Sequence, residues 1–554
     1  MNKFKIFSIA FMTSASFVYG QDIDQAKKAI DAEQYESAKS ILKTLYNAKP
    51  SGKVSFLLGN IYLKQSIEDS AKVFFNKGLL SSEGGKLNNI GLAQLDLNSG
   101  NQAAAQSKFD LIVKDLKKKD VEEYVYIANA YMNSDKPDYV NALAVLKKVN
   151  ELVPNNPYVL LAMGDAYFGE KNQNDAYTSY RNAFNIDGSL LRAKMQLGVL
   201  LKGAKAYTEA VKAYDEVIAL NPNYGPVYRE LAETYYLWGN NQPKNYTEYI
   251  QKALGFYEKY MSLTDYSLSS RMRHADFLIL AKDYKALEIE ANKMKQLDKV
   301  NPRILRYLGY AAYENGNNDA ALAALNEFVT KGSKVIPYDY MYLAKTKLKK
   351  AISIDGKTID QPLLTSAIAD INKAISMEPL MVNEVNDLGK GYFTQKLYGG
   401  AAAIFEIGIN DSNSKYFLED NVYYAISVIT DNRAKDAKTM DKLSLEKADR
   451  ALDAVLLKKP DYQEAYFYKG RINTSLEKDE VMSASYQKYL DLLLPKGVDE
   501  VTKNKAKVTE AYNHIASHLA NTDKVKAKEL LNKTLALDPT NTYALESLKL
   551  LGGK

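Results

Sequence analysis

The sequence predicts an all-α fold in which one helix–turn–helix unit recurs along nearly the whole chain, and three observations carry that prediction. Apolar and small residues return at the same offsets about every 34 residues. Glycine recurs at one phase inside otherwise helical segments, where it costs about 1 kcal/mol relative to alanine and therefore calls for a packing reason. Prolines recur between the units, at Pro50, Pro154, Pro222, Pro379, Pro460 and Pro539. Each lacks an N–H and biases the preceding residue away from helix, so each separates neighbours.

The first twenty residues stand outside the repeat. Met1 to Lys5 is short and basic, Ile6 to Phe17 is apolar with Ser and Thr among it, and Val18-Tyr19-Gly20 sets compact residues before Gln21. The apolar stretch is shorter than the ~20 residues a spanning helix needs, so 1–20 is expected to be an export signal of bacterial type, cleaved near Gln21. A buried helix and a retained anchor are the other readings.

After the leader, Ala38, Leu42, Leu45 and Pro50 close the first unit. Leu58, Gly59 and Tyr62 mark the next first helix, and Ala71, Phe75 and Gly78 its second. Ala142, Leu146, Val149 and Pro154 close the fourth unit. Leu160, Met163, Gly164 and Tyr167 are answered by Ala176, Tyr180 and Ala183; one period later Leu197-Gly198 is answered by Ala210, Tyr214 and Val217. The segment 268–301 departs, with His274-Ala275 for Leu-Gly and Leu287 for small Ala, and is expected to pack loosely. Leu308-Gly309 with Ala321, Leu388-Gly389 with Ala401 and Phe405, and Tyr466 and Gly470 with Tyr486 restore the phase. Ala448, Leu452 and Val455 precede Pro460, and Ala527 and Leu531 precede Pro539. Polar additions at 240–248, 349–361, 430–442 and 495–507 are expected to emerge at turns. Leu545, Leu548 and Leu551 suit one closing helix.

This pattern resembles the tetratricopeptide repeat (TPR), and the resemblance covers nearly all of the chain beyond the leader. It implies a right-handed superhelical solenoid of stacked helix-turn-helix units: a signal peptide at 1–20, a tandem array of about fourteen units at 21–541 and a capping helix at 542–554. Gly59, Gly164, Gly198, Gly309, Gly389 and Gly470 would let the paired helices approach, faced by Ala71, Ala176, Ala210 and Ala401.

Composition narrows the function. With no cysteine there are no disulfides, thiolate metal sites or cysteine nucleophiles. Three histidines leave little material for metal or acid–base chemistry, and a net charge of +6 is a weak field for a nucleic-acid binder of 554 residues. The segment 351–358, with Gly356-Lys357-Thr358, resembles a degenerate phosphate-binding loop but follows a helix rather than a strand, so no nucleotide binding is expected. His514 and His518 share a helical face without the glutamate of a zinc protease after the first. His274 replaces a core leucine and reads as an interior side chain. Asn245, Asn473 and Asn532 head glycosylation-type triplets that a bacterial chain leaves unused.

TPR arrays present the first helix of each unit along a concave surface, so the resemblance implies a non-catalytic scaffold or adaptor for protein or peptide partners, without cofactor or metal. On this phase the partner-binding candidates are Arg192, Arg229, Tyr236, Met272, Arg303, Arg306, Tyr310, Tyr313 and Tyr338, with Glu233 and Met341 beside them; Arg and Tyr are favoured at hot spots and Met adapts. Arg303, Arg306, Tyr310 and Tyr313 are expected at the centre, free of packing duties. The carboxylate-gripping constellation of some TPR proteins is not matched: Asn60 and Asn129 hold its positions, but the lysines are missing. The expected protein is periplasmic, and not membrane-spanning once the signal is removed. The alternative is a carbohydrate-binding envelope protein built on the same repeats, although such proteins are rich in tryptophan and this chain has one.

Overall fold

The computed structural model describes residues 22–552 apart from 66, 82, 83, 266, 300, 333, 413 and 436–438; the leader expected over 1–20 lies outside the described residues. Two compact units divide the chain, one ending at Lys299 and the other comprising the rest.

In the first unit, helix 22–31 pairs with Tyr35–Ala48, and the same hairpin recurs seven times. Gly52–Lys64 pairs with Glu68–Leu79, Gly85–Asn98 with Gln102–Lys114, Val121–Met132 with Tyr139–Leu152, and Pro157–Gly169 with Gln173–Ile186. Leu191–Gly203, Gly225–Asn241 and Leu268–Ala281 then pair with Tyr207–Leu220, Tyr246–Leu263 and Tyr284–Leu297. The second unit continues with Arg303–Glu314 and Asn318–Lys331, Pro337–Ala351 and Gln361–Met377, Val385–Thr394 and Tyr398–Gly408, and Phe417–Arg433 and Lys442–Lys458. It ends with Gln463–Ser475 and Asp479–Leu493, Lys505–Leu519 and Lys524–Leu537, and the single helix Thr542–Gly552. Among the described residues the only β feature is the bridge between Ile352 and Ile359.

The turns inside these hairpins follow from local chemistry. Several first helices stop at a residue in the left-handed region: Gly100 and Gly316 where glycine is present, but also Lys171, Lys205 and Lys396, at φ 61°, 60° and 62°. A lysine there offsets part of its backbone cost by standing at the negative end of the helix. After three of the left-handed residues, Lys171, Lys282 and Gly316, an Asp or Asn caps the second helix: Asn172 accepts from the Asp175 amide, Asp283 from Ala286 and Asn317 from Ala320.

The recurrent glycine does bring helices together, but the side chain opposite differs from expectation. A Cβ on Gly164 would lie 2.5 Å from the Tyr180 ring, one on Gly198 2.5 Å from Tyr214, and one on Gly389 2.6 Å from Phe405. The aromatic one turn beyond the alanine therefore fills the glycine notch. Ala176, Ala210 and Ala401 are themselves fully buried. The segment 268–301 is not loose: Ala275, Phe277, Leu278, Leu287 and Ala291 are all fully buried.

At 240–248 the flanking helices run on to Asn241 and resume at Tyr246, joined by one 3-10 turn. At 349–361 the chain does leave the helices, from Ile352 to Asp360, in a tight turn at Gly356 closed by the Ile352–Ile359 bridge.

Candidate functional site

Basic residues of the first helices find acidic partners chiefly on the neighbouring first helix. Arg273 donates Nε and Nη2 to the Glu233 carboxylate, both at 2.8 Å. Arg192 pairs with Asp165, Lys202 with Glu230 at 2.6 Å, Lys345 with Glu384 at 2.8 Å, and Arg471 with both oxygens of Glu510. Charge on these helices therefore serves first as a ladder from repeat to repeat.

Two expected site residues are correspondingly corrected in exposure. Arg306 donates Nε and Nη2 to Asp339 at 2.7 and 2.8 Å, and Nη2 also reaches the Lys334 carbonyl at 2.7 Å. The Tyr310 hydroxyl donates to the same carboxylate at 2.8 Å, and the Ile336 amide to its other oxygen at 2.7 Å. Asp339 is fully buried; Arg306 and Tyr310 are 8% and 3% exposed. Burial, then the Asp339 charge, pushes the Tyr310 hydroxyl well above its ordinary range. Burial works against the Arg306 charge, but Asp339 outweighs it and holds the guanidinium above its ordinary value. The expectation that these two side chains stand free of packing fails because Asp339 needs its donors.

The other candidates divide. Met272 is buried. Tyr236 is half-buried, edge-on to Phe277, with Arg273 over its ring at 5.1 Å. Tyr313 lies edge-on to Tyr342 with the Lys349 ammonium 3.9 Å from its centroid. Arg303 and Tyr338 are exposed.

In the first unit ion pairs also reach beyond the neighbouring hairpin. Lys27 and Lys53 both reach Glu122, at 2.5 and 2.7 Å, and Arg229 reaches Glu33 at 2.5 Å. These pairs join residues of the leading hairpin and its neighbour to helices several repeats away.

The second unit holds an open site that the sequence reading did not single out. A cleft of about 580 Å³ lies against Phe417–Arg433 and Gln463–Ser475. Val422, Ile426, Val455 and Phe393 line it with apolar surface, and Tyr423, Tyr462 and Tyr468 add aromatic rings. Phe393 meets Tyr423 edge-on at 4.9 Å. Glu419 and Glu464 also line it and are held by Lys390 at 2.7 Å and Lys507 at 2.5 Å. Burial, then Glu464, pushes the Tyr468 hydroxyl up. The signal was present, since Phe393, Tyr423 and Tyr468 sit on first helices; it lay beyond the segment rich in arginine.

A smaller cavity of about 320 Å³ borders Tyr207, Trp238, Asn241 and Gln242. Tyr207, Tyr235 and Tyr249 crowd the single tryptophan at 5.9, 5.8 and 4.7 Å.

The remaining motifs have structural surroundings. In the 351–358 turn the Lys357 and Thr358 amides donate to Ser353 Oγ, and the Lys357 amide also to Asp355, so these N–H groups already have acceptors. His514 stacks on Tyr486 at 5.4 Å, and burial pulls its pKa down. His274 lies between Glu258 and Glu290, its ring nitrogens 3.6 and 3.7 Å from their oxygens. Among the described residues no group of three His, Cys, Asp or Glu side chains is placed to hold a metal, and no helix is long and apolar enough to cross a membrane.

Residues 289–335 match the family model described as tetratricopeptide repeat. No curated protein matches the chain. Among solved structures, the C-terminal part of a TPR repeat-containing protein from Cytophaga hutchinsonii is similar at 23% identity, over 50% of this chain and 98% of that one, with a TM-score of 0.32. The pilF protein of Pseudomonas aeruginosa is similar at 19% identity, over 41% of this chain and 96% of that one, with a TM-score of 0.33. A tetratricopeptide repeat protein from Parabacteroides merdae is similar at 19% identity, over 46% and 93% of the two chains, with a TM-score of 0.31.

Proposed function

We propose that this tetratricopeptide repeat protein is an exported, non-catalytic scaffold that binds a protein or peptide partner, and that the cleft between Phe393 and Tyr468 takes part of that partner. The cleft is the observation that carries the reading. Arginines such as Arg192, Arg273, Arg306 and Arg471 are committed to neighbouring repeats, whereas this surface offers apolar area and tyrosines, the residue types that supply binding energy at protein interfaces. TPR repeats generally serve protein interaction, and the basic–apolar–compact order of residues 1–20 supports export to the periplasm.

The test is a pulldown from envelope extract with a photocrosslinking residue in place of Leu418, at the cleft wall, followed by mass spectrometry. A single crosslinked partner, lost on combined Tyr423→Ala and Tyr468→Ala with an unchanged melting curve, is the expected result. Retention of the partner by that variant sinks the cleft as the site. The carbohydrate reading keeps one foothold, the polar-edged cavity beside Trp238; saturable binding on a glycan array that Trp238→Ala abolishes would favour it.

A further inference from the structure

The contact between the leading hairpin and the seventh one of the first unit is built more heavily than repeat stacking requires. Glu33 sits in the turn between helix 22–31 and Tyr35–Ala48. Its carboxylate accepts from Arg229 at 2.5 Å and from the Tyr260 hydroxyl at 2.7 Å. Its carbonyl accepts from the Asp265 amide at 3.1 Å. Gln34 Nε2 donates to the Leu263 carbonyl at 3.2 Å, and the Glu36 amide to Asp265 Oδ2 at 2.7 Å.

Glu33 has φ 60°, the left-handed conformation that Lys171, Lys205, Lys282, Lys396 and Glu477 adopt at the ends of other first helices. A carboxylate at a helix C-terminus opposes the dipole that the lysines complement, and at Glu33 that cost is offset by Arg229, 196 residues away.

We infer that Arg229 and Tyr260 form a seat for an acidic protein segment, that the chain's own Glu33 turn occupies it, and that a partner segment carrying a carboxylate competes for it. The seat pairs a guanidinium group with a buried tyrosine hydroxyl, a donor set suited to carboxylates. Opening it does not require the hairpin to unfold. Ile23, Ala26 and Ala29 pack in the core shared with Ala38, Leu42 and Val54, away from the seat. Repeats otherwise touch mainly their neighbours, so small rotations summed over the intervening ones can lift the turn from Arg229. This seat lies in the first unit and is independent of the cleft in the second, so either can fail without the other.

The test compares the full chain with its Glu33→Gln variant. Hydrogen exchange reads the two amides that span the contact, Glu36 and Asp265, and titration uses a synthetic peptide of residues 28–40 as the probe. Glu33→Gln should speed exchange at both amides about tenfold, the loss of one charge-assisted hydrogen bond. It should also raise affinity for the peptide by a similar factor, and adding Arg229→Gln should abolish that gain. Tyr260→Phe, which removes a single hydroxyl, should shift the same two amides in the same direction. Unchanged protection in both variants would show that Glu33 does not hold the turn. Faster exchange without any gain in peptide binding would show that the seat does not take acidic segments. Either result overturns the proposal.

Discussion

Asp420 should destabilise its own surroundings at neutral pH, and replacing it by asparagine should strengthen them. The residue lies in the first turn of Phe417–Arg433 and is fully buried. Asn386 Nδ2 donates to Asp420 Oδ1 at 2.7 Å, while Asp420 Oδ2 and Asn386 Oδ1 have no hydrogen-bond partner. Gly408 makes the room, since a Cβ there would lie 2.5 Å from Oδ2. Lys390, the cation that acts on Asp420, is itself paired with Glu419 at 2.7 Å. The pocket thus holds two unmatched acceptors and lacks one donor, which a proton or an amide supplies. Burial accordingly pushes the Asp420 carboxyl up from 3.8 to about 6, against the Asn386 hydrogen bond and with Glu419 adding to the rise.

The sign follows from where the proton binds. Below pH 3.8 the carboxyl is protonated in both folded and unfolded chains and carries no penalty. Between 3.8 and 6 only the unfolded form ionises, so stability falls as pH rises; above 6 the penalty is constant. Two pH units correspond to about 3 kcal/mol. Asp420→Asn removes that penalty and adds an N–H beside Asn386 Oδ1. Because a long repeat array need not unfold in one step, the assay is hydrogen exchange in Phe417–Arg433 rather than a whole-chain melt. Exchange there should slow up to about a hundredfold in Asp420→Asn at pH 7.5, with the difference vanishing towards pH 4 after correction for intrinsic rates. A variant that exchanges faster at pH 7.5, or a difference that does not change with pH, would refute the reasoning.

Arg306→Ala should cost about 3–5 kcal/mol in local stability, because it strips three hydrogen bonds and leaves Asp339 buried with its charge; exchange across Pro337–Ala351 measures it, and a loss under 0.5 kcal/mol would return Arg306 to the exposed surface. Gly164→Ala should cost about 1–3 kcal/mol by driving a Cβ into the fully buried Tyr180 ring, read as faster hydrogen exchange in Pro157–Gly169. Gly255→Ala meets nothing within 4 Å in mid-helix and should instead gain about 0.5–1 kcal/mol. Intact mass of the protein recovered from the periplasm should begin near Gln21; full-length chain in the membrane fraction would favour an anchor.

What could be read in the sequence depended on how far apart the interacting residues lie. The Gly164–Tyr180 notch joins residues within one hairpin and repeats with the period, so the helix pairs were legible from spacing alone. The exchange of alanine for the aromatic as the facing residue was not, because a period fixes which positions are equivalent and not which side chain crosses the gap. The Arg306–Asp339 pair spans 33 residues, one repeat, and Arg273–Glu233 spans 40. Acid placed one period from base was therefore visible, and it marks the ladder that occupies the arginines expected to bind a partner. The open cleft needed more than one period: its rings come from Phe393, Tyr423 and Tyr468, on three different first helices, and only their stacking shows that they share a wall. Glu33 and Arg229 lie several repeats apart, at a distance set by accumulated rotation, which no pairwise spacing encodes.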